Sequence, residues 1–429
     1  MRALALIFVL LVLAGALFAP RKGGSFPVVA LAAQSVVYVS PDNAIFTILP
    51  DGTGRDRITS GARSGGVLAQ PSLQAAPRFT WPTWSPDGSR LVVSHYSDLG
   101  GQVAALTLIK PPSSVEIFIQ TTSRGRVDRV ADGTFHFPLW SPNGKELALI
   151  APNDTSTALL LSTGDIGDLE NGRTAGGVIG GPIYLSWSPD STLMAIHHRD
   201  QLLFKDDQGE LLNTARSSTR YRVPAISSDS ETIAYVAGLG REEWLIARRI
   251  STGEERELVT VRTEAAFAFS PTDPEVIAVA VRAEEAKAAY VGISLVNAVT
   301  GDESTLYKET VYAFWWSPDG TKIVLVGSSP DSFTWVVVDV ATSEETILAH
   351  FIPSPEFTTY IHFFDQFGLA QDIWSADSTA IIFAGHIDTD GESMPEDAAW
   401  VLDVTNKREP TNLAKASLAF FVPVGTGRD

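Results

Sequence analysis

One pentapeptide recurs along this chain: Trp84-Ser85-Pro86-Asp87-Gly88, Trp140-Ser141-Pro142-Asn143-Gly144, Trp187-Ser188-Pro189-Asp190-Ser191 and Trp316-Ser317-Pro318-Asp319-Gly320. Altered copies stand at Ile226-Ser227-Ser228-Asp229-Ser230, Phe269-Ser270-Pro271-Thr272-Asp273 and Trp374-Ser375-Ala376-Asp377-Ser378. A spacing of roughly 40 to 60 residues is that of a propeller or a solenoid, in which each repeat buries its apolar faces only against its neighbours.

Every copy sits between two apolar segments. The second of them reads Leu91-Val92-Val93, Leu147-Ala148-Leu149, Met194-Ala195-Ile196, Ile233-Ala234-Tyr235, Ile277-Ala278-Val279, Ile323-Val324-Leu325 and Ile381-Ile382-Phe383 in turn. Pro presets φ, Asp bonds its own backbone and Gly accepts φ > 0, so the tetrad after the aromatic closes a β-hairpin. Strands apolar on both faces suit sheets covered on both sides by other sheets. The aromatics Trp84, Trp140, Trp187, Phe269, Trp316 and Trp374 are expected in the core between sheets, because their place beside the turn never changes.

The repeated unit resembles the TolB-like family of WD-like propeller repeats, whose blades carry Trp-Ser-Pro-Asp-Gly, two further residues and an apolar strand. The resemblance covers roughly residues 35 to 425. It implies an all-β fold, a single β-propeller, and a protein partner in the cell envelope. TolB itself has a separate domain ahead of its propeller, and only a short segment precedes the first strand here. The resemblance therefore implies the fold and partner binding, not that protein's whole role, since one fold hosts many functions.

Of the 429 residues, 45% are apolar and 19% charged, with a net charge of −18. Such a surface repels phosphate backbones, and no run of Lys or Arg argues otherwise, so no nucleic-acid partner is expected. From Ala3 to Ala19 the chain is unbroken in apolarity, with Arg2 before it and Pro20, Arg21 and Lys22 after. This reads either as a signal peptide or as an uncleaved membrane anchor, with a linker up to residue 34. Both readings place the protein outside the cytoplasm, periplasmic or extracellular. With no cysteine, the fold must hold through its core alone.

Residues 36–39, 44–49 and 55–59 form a blade that lacks an innermost strand, while residues 417–424 are a strand left over at the other end. Pairing the two ends would close a monomeric ring of eight blades; seven blades with a stray hairpin is the alternative. Hairpins of third and fourth strands are expected across the chain, one of them near residues 115–131. The Ser-Pro-Asp-Gly turns then lie on one face, Y, and the long insertions on the opposite face, X, where binding concentrates on rigid scaffolds.

Two of those insertions flank Trp374. The first holds Phe357, Tyr360, His362, Phe363, Phe364 and Asp365, too apolar for a free loop and expected to pack over the rim or meet a partner. The second holds His386 and the run Asp388-Thr389-Asp390-Gly391-Glu392. Asp388, Asp390 and Glu392 alternate as the ligands of a calcium loop begin, but the distal bidentate Glu is missing, and a solvated acidic loop is the plainer reading. No other cofactor is indicated. His95 and His198 share a repeat position but point around a ring rather than at each other.

No Gly-x-Ser-x-Gly marks a serine hydrolase, and no catalytic residue stands out. The expectation is an exported, non-catalytic binding or scaffold propeller that meets a protein partner through face X. The alternative is a lactonase-like propeller hydrolase using a divalent cation.

Overall fold

A computed structural model describes residues 34–59, 78–97, 103–110, 115–119, 137–153, 156–163, 173–239, 242–282, 289–387, 396–405 and 407–424. The apolar run from Ala3 to Ala19, the linker, and Asp388, Asp390 and Glu392 lie outside them. Among the described residues no helix is long and apolar enough to cross a membrane.

Apart from two short helices, the regular structure described is β. Strands succeed one another as antiparallel meanders: four-stranded sheets start at Arg78–Trp84, Phe137–Trp140, Ile183–Trp187 and Ala225–Ile226. A ten-stranded sheet runs from Ala265–Phe269 to Thr411–Lys415. The remaining sheet joins the chain's ends, with Val36–Val39 pairing Leu418–Phe421 in the register Val36↔Phe421 to Val39↔Leu418. This is the pairing expected for the leftover strand. One hairpin departs from expectation: the second sheet's third and fourth strands are Val103–Lys110 and Val115–Ile119, not residues 115–131. Pro111-Pro112 already breaks the apolar run there.

The repeated serine clamps every turn but that of Ser270. Its hydroxyl donates to the Asp or Asn carboxylate or carbonyl oxygen two residues on, at 2.5 Å from Ser188, 2.8 Å from Ser141 and 2.6 Å from Ser317. It also accepts from the amide five residues on, at 2.9 Å in all three. An unanticipated copy, Ser40-Pro41-Asp42-Asn43, repeats the first bond at 2.5 Å.

The last residue of the turn is left-handed in every copy but the one ending at Asp273: φ is 67° at Gly88 and 69° at Gly320, but also 65° at Ser191, 63° at Ser230 and 58° at Ser378. Such a φ strains a non-glycine residue. In return each serine hydroxyl accepts an amide hydrogen bond from the preceding turn, from Asn143 at 2.9 Å, Asp190 at 3.1 Å and Asp319 at 3.1 Å. The altered copies thus lace one turn to the next. At Gly320 a Cβ would collide with Thr272 Oγ1, so a side chain there requires that threonine to shift.

Trp84, Trp140, Trp187, Phe269 and Trp374 are buried, and Trp316 is partly so. Their indoles reach the preceding repeat: Trp140 Nε1 donates to Thr83 O, Trp187 to Leu139 O, Trp316 to Ala268 O and Trp374 to Trp315 O, at 3.1 to 3.4 Å. The core lies between successive sheets, as where Phe204, Tyr235, Phe267 and Val279 cluster.

Candidate functional site

The first insertion is neither a loop nor a surface patch. Ser354 caps a helix over Pro355–His362: its Oγ accepts from Phe357 N at 3.0 Å, Pro355 opens the first turn and Glu356 favours the dipole there. A second, one-turn helix spans Phe364–Phe367. Gly368 ends it where a Cβ would meet Phe364 O at 2.7 Å and Trp315 Nε1 at 2.9 Å.

The segment fills the space between the sheets' first strands. Phe367 stacks on Trp81 at 4.3 Å, and Tyr360 stacks on Trp315 at 5.6 Å and packs against Phe420 at 5.1 Å. Trp81 reaches inward because its strand bulges between Thr80 and Thr83, leaving its φ at 51°. Gln366 mimics a strand neighbour, accepting from Leu185 N at 3.2 Å and donating to Leu185 O at 3.3 Å. Gln371 donates to Thr83 Oγ1 at 2.8 Å.

Phe357 and Tyr360 are 0% exposed and Phe364 3%. Expected to pack over the rim or meet a partner, these three form the interior of a plug, where their large apolar rings are enclosed. His362 and Phe363 stand at its X end and do reach a cavity, and Asp365 stands behind them, paired to Arg222.

That cavity has a volume of about 450 Å³ and is lined by Tyr184, Arg199, Arg222, Glu264, Arg282 and Phe363, with His197, Tyr221 and His362 completing the wall. Tyr184 stands at the start of a first strand, His197 and Arg282 near the ends of second strands, Arg199, Arg222 and Glu264 in the turns and connections beside them, and His362 and Phe363 in the plug. Arg222 is its deepest cation. Nε donates to Asp365 Oδ2 at 2.9 Å, Nη1 to His362 O at 2.7 Å and Nη2 to Tyr290 OH at 3.4 Å, while Phe363 faces the guanidinium. Burial works against its charge, but the Asp365 carboxylate holds its pKa above the ordinary value. Arg282 pairs with Glu264 at 2.9 Å and lies over the Tyr290 ring.

His197 stacks on Tyr221 at 4.1 Å, with Nδ1 2.8 Å from Arg222 O and Nε2 2.9 Å from Arg199 O, and its one N–H donates to either carbonyl according to tautomer. Burial pushes its pKa below the usual value. Partial desolvation, then the charges of Arg222 and Arg282, push the pKa of His362 down too.

His386 lies elsewhere, at the end of Ala380–Ile387, with Nδ1 3.4 Å from Asp397 Oδ1. Among the described residues no three His, Asp or Glu side chains converge as metal ligands do. The arginines, Glu264, Tyr184 and His197 carry no local signal in the sequence. They meet only because three successive sheets and the plug do.

No protein-family model matches the chain, and no curated sequence does. Its fold is similar to that of solved structures. One is a eukaryotic initiation factor, 11% identical over 92% of this chain and 99% of that one, at a TM-score of 0.54. Others are an oligogalacturonate lyase from Vibrio parahaemolyticus (13%, 73% and 82%, 0.47) and TolB from Acinetobacter baumannii (14%, 78% and 83%, 0.39), both β-propellers. At these identities the likeness is one of fold alone.

Proposed function

We propose that this chain is an exported, non-catalytic binding protein of the cell envelope that engages its ligand or protein partner at the X-face cavity. The observation that carries the reading is the plug. With the space between the inner strands taken by Phe357, Tyr360, Phe364 and Phe367, contact with another molecule is confined to the rim, where the arginines gather. Export rests on the apolar run from Ala3 to Ala19.

We read the sheets around the plug as an eight-bladed ring. The ten-stranded sheet divides where Glu303–Trp316 passes from an outer edge to an inner one, and again where residues 351–353 touch residues 385–387. Three blades there and five four-stranded sheets make eight, the first completed by Leu418–Phe421.

A photo-crosslinking residue in place of His362, in cells that make the protein, should yield a discrete adduct, and one at Asp87 on the Y turns should not. Adducts from Asp87 alone would overturn the reading.

A further inference from the structure

Resting on that reading, we propose that the cavity is a receptor for a single carboxylate carried on an apolar body. Its charge points to a monoanion. Arg199, Arg222 and Arg282 stand against Glu264 and Asp365, both already paired to an arginine, so one positive charge is left over in a chain whose net charge is −18. Arg222 already donates from Nε, Nη1 and Nη2, to Asp365, His362 O and Tyr290, and its charge is paired with Asp365. The cation left free is Arg199. Its side chain is exposed and makes no ion pair among the described residues, and its guanidinium fork suits the two oxygens of a carboxylate.

The backbone at Arg199 decides which replacements it tolerates. Its φ is 61°, in the two-residue turn between Leu193–His198 and Gln201–Asp206. Gly, Asn or Asp occupies such a position with less strain. His197 lies between Arg199 O and Arg222 O and, as a neutral ring, donates to one of them. Phe363, Tyr184 and Pro182 supply the wall for the apolar body, in a volume ordinary for a small-molecule site.

Calorimetric titration of the full chain with hippurate, hippuramide and inorganic phosphate tests this. Hippurate should bind saturably and the other two at least tenfold more weakly. Arg199→Gly removes the guanidinium while fitting the left-handed φ, so it should weaken hippurate at least tenfold with thermal stability unchanged or raised. Arg199→Asn, which also tolerates that φ, should behave alike. A peptide end and a free small acid share the same chemistry: tripeptide Ala-Gly-Phe binding tighter than hippurate, and its C-terminal amide not binding, would identify a chain terminus, and the reverse order a small acid. Equal affinity for hippuramide or phosphate, no saturation by hippurate, or undiminished hippurate binding in both variants would overturn the proposal. If the His362 adduct still forms in that case, the binding reading stands without it.

Discussion

Replacing Asp365 tests whether the plug is locked as deeply as its geometry implies. Arg222 and Asp365 are 9% and 6% exposed in their side chains and 2.9 Å apart. Removing one partner of a buried pair leaves an uncompensated charge, at about 3 to 5 kcal/mol. Arg222 would keep its bond to His362 O at 2.7 Å and its place over Phe363, so Asp365→Ala should fall near the lower end, about 3 kcal/mol. Asp365→Asn retains an oxygen acceptor and loses only the charge, which places it at about 1 to 2 kcal/mol. Arg222→Met combined with Asp365→Leu should recover most of the loss, since apolar replacements of a buried pair are often neutral. Urea unfolding monitored by tryptophan fluorescence gives the three free energies. If Asp365→Ala lies within about 0.5 kcal/mol of wild type, the pair is solvated and the plug is not an enclosed element.

The repeats set two further outcomes. Ser191→Ala keeps the strained φ of 65° and loses the bond from Asn143 N, costing about 1 kcal/mol, whereas Ser191→Gly loses the bond but relieves the strain and should be nearly neutral; equal losses would sink the turn-to-turn account. A chain stopped before Ser417 loses buried Leu418, Phe420 and Phe421, worth roughly 5 to 9 kcal/mol at the usual figure per large side chain, and uncovers the edge of Val36–Val39. It should be unfolded or aggregated by circular dichroism and gel filtration, and a monomer of unchanged stability would contradict the terminal pairing.

The strands and turns are legible in the sequence because their signals are local and repeated: Ser-Pro-Asp-Gly encodes its own hairpin, and each apolar triplet marks the strand after it. Even the terminal pairing can be inferred, since one sheet lacks an inner strand and one strand lacks a sheet. The plug is half legible. Its aromatic density rules out a free loop, but the helix start is spelled by Ser354-Pro355-Glu356 alone, and nothing local says that Phe367 meets Trp81, far earlier in the chain. The cavity is legible least. Arg199, Arg222, Glu264 and Arg282 are single charged residues at strand ends, ordinary there one by one, and only the sheet order brings them together.

Hydrogen exchange across residues 357–371 tests the central claim most directly, because this insertion should be the interior of the fold, with binding confined to its X end. Its amides should exchange as slowly as those of the inner strands Ile183–Trp187 and Leu418–Phe421. Exchange within seconds, as in an exposed loop, would show that the segment lies outside the sheets and that the cavity at its end does not exist.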